Sequence, residues 1–433
     1  MGRKQCWLNF RSILTVALLV LLLLAEVAAQ AQTYKVLHEF TAAPDGAIPS
    51  PIIRDAHGNL YGTTFGGGLA SCGEGSCGTV FKVDSSGKET ILYDFEGGSD
   101  GTNPVAGLIQ DSKGNLYGTT RGNGVIGGAS VIFKVDPKGQ QTVLYVADES
   151  QACCLDSPVA RDAQGNLYGM SPFAGDENCS YISGGIGCGT LFKLSPSGKL
   201  TVLHTFHGTE GAQPEGGVVL DAHGNVYGTA FFGGKAAFCH PPNGDYQAEG
   251  CGTIYKVDSS GKFSVLHSFA GPKDGAGPLG LIIDSAGNLY GIAQWGGDDH
   301  HFYNHLYGYG TVFEVDTTGK FSVLFTFTPK TTRDNVYASQ LLRDSKGNLY
   351  GLQQSNNCVH AGGCLFKIDT NRHYTDLYDF QGEGEGNDGS TPMGVVFGSH
   401  GDVYGTMQTG GENEPDCQDG CGTVFHLAPF AEP

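Results

Sequence analysis

The sequence predicts an all-β fold, a seven-bladed β-propeller, and three observations carry that expectation. A short string, Gly-(Asn/Asp)-(Leu/Val)-Tyr-Gly, recurs seven times, starting at Gly58, Gly114, Gly165, Gly224, Gly287, Gly347 and Gly401, at spacings of 51 to 63 residues. A period of that length across nearly the whole chain marks a repeat architecture built from one supersecondary unit. Each unit holds four strand-like pieces rich in Val, Ile, Tyr, Phe and Thr, with no sustained helical period after the amino-terminal segment. The pieces are also cut out of phase: a fourth-type piece at 34–40 precedes the first full unit, and the chain closes on a third-type piece at 422–427. A ring accounts for this, because the first strand completes the last sheet. An open solenoid would leave edges exposed at both ends.

The segment 1–29 is expected to be a secretory signal peptide. Arg3, Lys4 and Arg11 precede an apolar run over 13–25, and Val27-Ala28-Ala29 supplies small residues for cleavage. An uncleaved anchor is the alternative, but the run is short of the roughly 20 residues a spanning helix needs. Residues 33–430 then form a single propeller domain, expected to be a monomer with no membrane span after cleavage and to be secreted or periplasmic.

In the first unit the four pieces are a (52–54), b (59–65), c (78–83) and d (89–95). The a–b and c–d connections share the form Asp-x-x-Gly, as in Asp111-Ser112-Lys113-Gly114 and Asp84-Ser85-Ser86-Gly87. Asp accepts local backbone hydrogen bonds and Gly supplies a positive φ, so both are tight hairpins. Because neighbouring strands run antiparallel, these turns share one face of the ring, and the long b–c and d–a loops share the other. His38, His204 and His267 recur at one position of d and are expected to fill a packing slot, with the repeated tyrosines (Tyr61 to Tyr404) stacking between blades.

The strings Gly58-Asn59-Leu60-Tyr61-Gly62-Thr63-Thr64 and Gly78-Thr79-Val80-Phe81-Lys82-Val83-Asp84, with Val265-Leu266-His267-Ser268-Phe269, resemble the GloVer tandem repeat of exported bacterial proteins. The resemblance runs from Tyr34 to Leu427 and implies an exported repeat protein without a catalytic motif to transfer. Many members of that family end in a cell-surface sorting tail, and none is visible here. Similarity to sugar lactonase and lyase propellers is looser and rests on turn chemistry alone.

Ten of the 13 cysteines form close pairs on the long loops: Cys72/Cys77, Cys179/Cys188, Cys239/Cys251, Cys358/Cys364 and Cys417/Cys421. Local disulfides in an oxidising compartment are expected; zinc would need four ligands, and the pairs sit on separate repeats. Cys153-Cys154 is read as a vicinal disulfide, with free or separately bridged thiols as the alternative. The chain carries a net charge of −19, which becomes −21 once three basic residues and Glu26 leave with the signal peptide. Most of the excess lies on the long loops, for example Asp176, Glu177, Glu383, Glu385, Glu412, Glu414, Asp416 and Asp419. Such a face repels nucleic acid and attracts cations or basic partners. A solvated rim that keeps the protein soluble is the competing reading.

The b–c loop of unit five differs from its counterparts. It lacks the cysteine pair and reads Trp295-Gly296-Gly297-Asp298-Asp299-His300-His301-Phe302-Tyr303-Asn304-His305-Leu306-Tyr307. Asp298, Asp299, His300, His301 and His305 are the candidate ligands for a divalent cation, and Trp295, Asp298, Asp299, Tyr303 and Tyr307 the candidate sugar-binding groups. Packing that replaces the missing disulfide is the alternative. No catalytic residue is identified and no cofactor is established beyond that cation. The expected function is a non-enzymatic binding or structural propeller recognising a glycan, a cation or an exported protein; the alternative is a lyase or hydrolase acting on a polysaccharide or lactone.

Overall fold

The computed structural model describes residues 33–428 except 70, 73–74, 123–128, 148–153, 177–178, 180–186, 237–238, 240–249, 298–307, 329–330, 332–339, 355–357, 359, 361, 383–387, 400, 412–416 and 418. Seven antiparallel sheets form the ring, each in the order a–b–c–d from the axis outward. Blade four shows the unit most fully, with Ala212–Leu220, Val226–Phe232, Thr253–Val257 and Phe263–Ser268. Strand b is buried because its two faces meet the neighbouring blades, so the alternation expected of a one-sided sheet disappears there.

Closure follows the out-of-phase reading. Tyr34–Glu39 pairs with Thr423–Leu427, Tyr34 opposite Leu427, and completes the sheet of Pro392–Phe397 and Val403–Met407. Strand bounds elsewhere fall within a residue or two of those expected, except at the axis. In blade one the inner strand is split into Ala47–Pro49 and Ile53–Arg54, since Pro49 and Pro51 bring no N–H to the ladder.

A feature with no sequence expectation is a bulge at one place in every c–d pair. The skipped residue is a leucine each time: Leu37, Leu92, Leu144, Leu203, Leu266, Leu324 and Leu377. Inserting one residue into the outer strand raises its local twist, which suits a strand at the rim of a blade. Directly after the strand in six blades comes Phe40, Phe95, Phe206, Phe269, Phe327 or Phe380, all at most 1% exposed and packed edge-on to the neighbouring blade's strand-c ring in pairs such as Phe95–Phe133. These rings, with the b and c strands, form the hydrophobic layers between blades.

Candidate functional site

The turn face is chemically closed. In six blades the first Asp of the a–b turn accepts hydrogen bonds from backbone N–H groups (two in five blades, one at Asp162), the Asn side chain and the Tyr hydroxyl; in blade one these run from His57, Asn59 and Tyr61 to Asp55 at 2.7–3.1 Å. The same cage surrounds Asp111, Asp162, Asp221, Asp284 and Asp344. Burial pushes each carboxyl up, but the hydrogen bonds outweigh it and hold all six below the usual carboxylate range. Blade seven inverts the motif: Gly398 takes the Asp position and Asp402 the Asn position, from which it reaches His426 at 3.2 Å. The repeated tyrosines also bridge blades, with Arg54 over Tyr404, Arg161 over Tyr117 and Arg343 over Tyr290 at 5.1–5.5 Å.

Much of the loop-face acidity is also structural. His38, His204 and His267 stand where expected and are packed against rings, His204 on Phe263 and His267 on Phe321 at 3.6 and 3.7 Å. They do more than fill space. Each reaches a carboxylate of the following d–a loop, Asp45, Glu210 or Asp274, at 2.9–3.4 Å, while Tyr93 and Tyr378 donate to Asp100 and Asp388 at 2.9 Å. A recurring acidic residue before Gly46, Gly101, Gly211, Gly275 and Gly389 therefore ties its loop to its blade. Asp176 and Asp379 are likewise engaged, by His207 at 2.8 Å and His360 at 2.9 Å.

Four loop disulfides are present as expected, Cys179–Cys188, Cys239–Cys251, Cys358–Cys364 and Cys417–Cys421, with Cα atoms 5.0–5.8 Å apart. Cys77 is disulfide-bonded as well, and the side chain of its expected partner Cys72 lies outside the described residues. The second cysteine has a backbone task. The N–H groups of Ile48, Asn103, Gln213 and Gly277 donate to the carbonyls of Cys421, Cys77, Cys188 and Cys251 of the preceding blade at 2.8–3.0 Å. Ile48, Asn103 and Gln213 hold left-handed φ values of 53° to 58°, each directly before a proline. Cross-linking the receiving loop fixes the acceptor that this strained conformation needs.

Of the blade-five candidates, Asp298, Asp299, His300, His301, Tyr303, His305 and Tyr307 lie outside the described residues, as does Cys153. Trp295 ends strand b of that blade and is only 9% exposed. Its ring packs on Phe231 at 5.0 Å, and a Cβ at Gly277 would come within 2.8 Å of it, so the indole is wedged between blades four and five. Cys154 is half-buried with φ 52°, and its carbonyl accepts the Asp156 N–H at 2.8 Å. No group of three or more potential metal ligands occurs among the described residues.

Asp156 and Glu215, not singled out from the sequence, lie together at the axial channel mouth. Asp156 precedes the inner strand of blade three, Ala160–Arg161, and Glu215 lies within that of blade four. Asp156 Oδ1 is buried without a hydrogen bond, and its nearest cation is Arg121 Nε at 3.7 Å, more than half exposed. Burial pushes the Asp156 carboxyl up against the pull of Arg121. Glu215 is also pushed up, by burial and by the charge of Asp156, despite a hydrogen bond from the Gln213 amide. An acidic residue in the inner strand, where other blades place Ser50, Val105, Leu279 or Met393, was the available signal.

A family model described as the Gloeobacter/Verrucomicrobia repeat matches residues 24–239, 179–302 and 300–432. No curated protein matches the chain in sequence. Among solved structures, a catalytically inactive virginiamycin B lyase from Staphylococcus aureus, crystallised with quinupristin, is similar at a TM-score of 0.57 and 12% identity, over 92% of this chain and 100% of that one. The extracellular domain of a B. thetaiotaomicron protein described as a hybrid two component system is similar at 0.54 and 10%, over 93% of this chain and 40% of that one. At such identities the likeness is one of fold, and it spans an enzyme and an extracellular domain alike.

Proposed function

The chain belongs to the Gloeobacter/Verrucomicrobia repeat family, and from that premise we propose that it is an exported, non-enzymatic binding propeller whose ligand, a glycan, a cation or another exported protein, docks on the loop face. The observation that carries this reading is the contrast between the faces. On the turn side six Asp-centred cages consume their own polar groups. The loop side varies from blade to blade, is braced by disulfides, and keeps carboxylate oxygens such as Asp156 Oδ1 without a hydrogen bond. The blade-five loop supplies ligand groups in this reading, metal contacts through Asp298, Asp299, His300, His301 and His305 or sugar contacts through Asp298, Asp299, Tyr303 and Tyr307. Disulfides and the signal-like segment support an oxidising location outside the cytoplasm.

A second reading, a lyase or hydrolase, has one observation in its favour: Asp156 and Glu215 are neighbouring carboxyls at the channel mouth, both pushed toward the protonated form. A glycan array and metal analysis of the purified mature protein, with a turnover screen on lactones and polysaccharides, separate the two. Binding without turnover that is lost on replacing His300, His301 and His305 by alanine supports the first reading. Turnover abolished by Glu215→Gln replaces it with the second.

A further inference from the structure

We infer that the axial channel holds a site for a small molecule with an apolar body and a single primary ammonium group, anchored by Asp156. The cavity has a volume of about 420 Å³ and is walled by residues in or just before the inner strands of all seven blades, a volume within the usual range of small-molecule sites of roughly 300–1,000 Å³. Its walls are Pro51, Ile52, Val105, Leu108, Leu281 and Met393, among others of the same kind. Among the described residues, Asp156 is the one ionisable side chain that lines it.

Space on the axis is created by missing side chains. Gly216 of blade four approaches blade five so closely that a Cβ there would lie 2.1 Å from the Gly280 nitrogen, so that side of the bore is fixed by backbone contact. Gly107 is different. A Cβ there would meet Pro51 Cβ at an ordinary 3.6 Å, so neither a clash nor a left-handed φ accounts for the gap it leaves. Seven converging strands could have filled their axis with apolar side chains, as small barrels do.

The polar end selects the head group. Asp156 Oδ1 lacks a hydrogen bond; it pairs with the more than half exposed Arg121 at 3.7 Å, an ion pair too long to be a hydrogen bond. An ammonium donating to that oxygen would form a charge-assisted hydrogen bond that no described side chain supplies. A hard cation fits less well, because it needs several oxygen ligands. The other polar wall group, the Gln340 carbonyl oxygen, already accepts the Val395 N–H at 2.9 Å. No aromatic ring lines the cavity among the described residues, so the cation would be held by the carboxylate rather than by an aromatic cage. The charge of the chain, −19 overall, would draw a cationic ligand and repel an anionic one.

Three probes of one shape test this: 4-phenylbutylamine, 4-phenylbutanol and 4-phenylbutanoate, titrated calorimetrically and by ligand-observed NMR. The amine should bind about tenfold or more tighter than the alcohol, the difference expected of a hydrogen bond to a charged group, and the carboxylate should not bind. Asp156→Asn should erase the preference for amine over alcohol and keep alcohol binding. Val105→Trp and, independently, Gly107→Leu should abolish binding of both by filling the bore while leaving any glycan, metal or protein bound on the loop face in place, so failure here and failure of the loop-face reading are separate results. Binding of no probe, equal binding of amine and carboxylate, or an unchanged preference in Asp156→Asn would overturn the inference.

Discussion

The Tyr34 hydroxyl donates a 2.7 Å hydrogen bond to the carbonyl of Asp388, 354 residues further along the chain. The same ring stacks on Tyr378 at 5.6 Å and Phe425 at 5.4 Å, so the amino-terminal strand is held by blades six and seven at once. Tyr34→Ala should therefore lower stability by about 2 kcal/mol, less than for a fully buried aromatic. Lys35→Ala, on the exposed side of the strand, should change it by under about 0.5 kcal/mol. Urea unfolding of both variants checks this, and equal effects would mean that closure does not depend on that ring.

Acid should unfold the ring through its turn face. The six caged aspartates have folded-state pKa values below the ordinary one, which is about 3.9 in an unfolded chain. Their contribution is present above that pH and is lost as pH falls through the lower folded values. Stability measured by urea should hold between pH 6 and 5 and fall steeply below 4. Replacing one of the six, as in Asp221→Asn, should lower the plateau and reduce the slope of the acid limb.

Glu89 behaves in the opposite sense. Burial raises its carboxyl to about 7, with His38 opposing and Asp45 adding, and Oε1 is buried without a hydrogen bond. A raised value means that its stabilising effect is complete below the unfolded pKa and is lost as pH rises through about 7. Glu89→Gln should accordingly be more stable than the parent at pH 8, by about 1 kcal/mol after allowance for solvent screening, and should lose that advantage by pH 5. Thermal melts at the two pH values read this directly.

Non-reduced peptide mapping should return Cys179 with Cys188, Cys239 with Cys251, Cys358 with Cys364 and Cys417 with Cys421, together with Cys72 and Cys77. Reduction should weaken the protein by roughly 2 kcal/mol per loop in the chain-entropy account. Because the second cysteine of several pairs accepts a hydrogen bond from the next blade, hydrogen exchange at Ile48, Asn103 and Gln213 should accelerate on reduction. Unchanged protection there would separate the disulfides from the inter-blade bonds.

The sequence determined the features that repeat. Seven copies of Gly-(Asn/Asp)-(Leu/Val)-Tyr-Gly set the blade count, the stranded 34–40 piece set the closure, and Asp-x-x-Gly set the hairpins, because local turn chemistry and strand pattern are written in neighbouring residues. Paired cysteines were legible for the same reason. The bulge at Leu37, Leu92 and their counterparts was not read, although the leucine repeats, because whether an extra residue is bulged out depends on the partner strand's register.

Tertiary structure decided what sits together across blades. Trp295, conspicuous in the sequence, proves to be wedged on Phe231, while Asp156 and Glu215, 59 positions apart and inconspicuous, meet at the channel mouth. The cause is geometric. A propeller brings one inner strand from each blade to a common axis, so the channel is assembled from residues about one repeat apart, and the desolvation that perturbs their carboxyls exists only once the ring has closed.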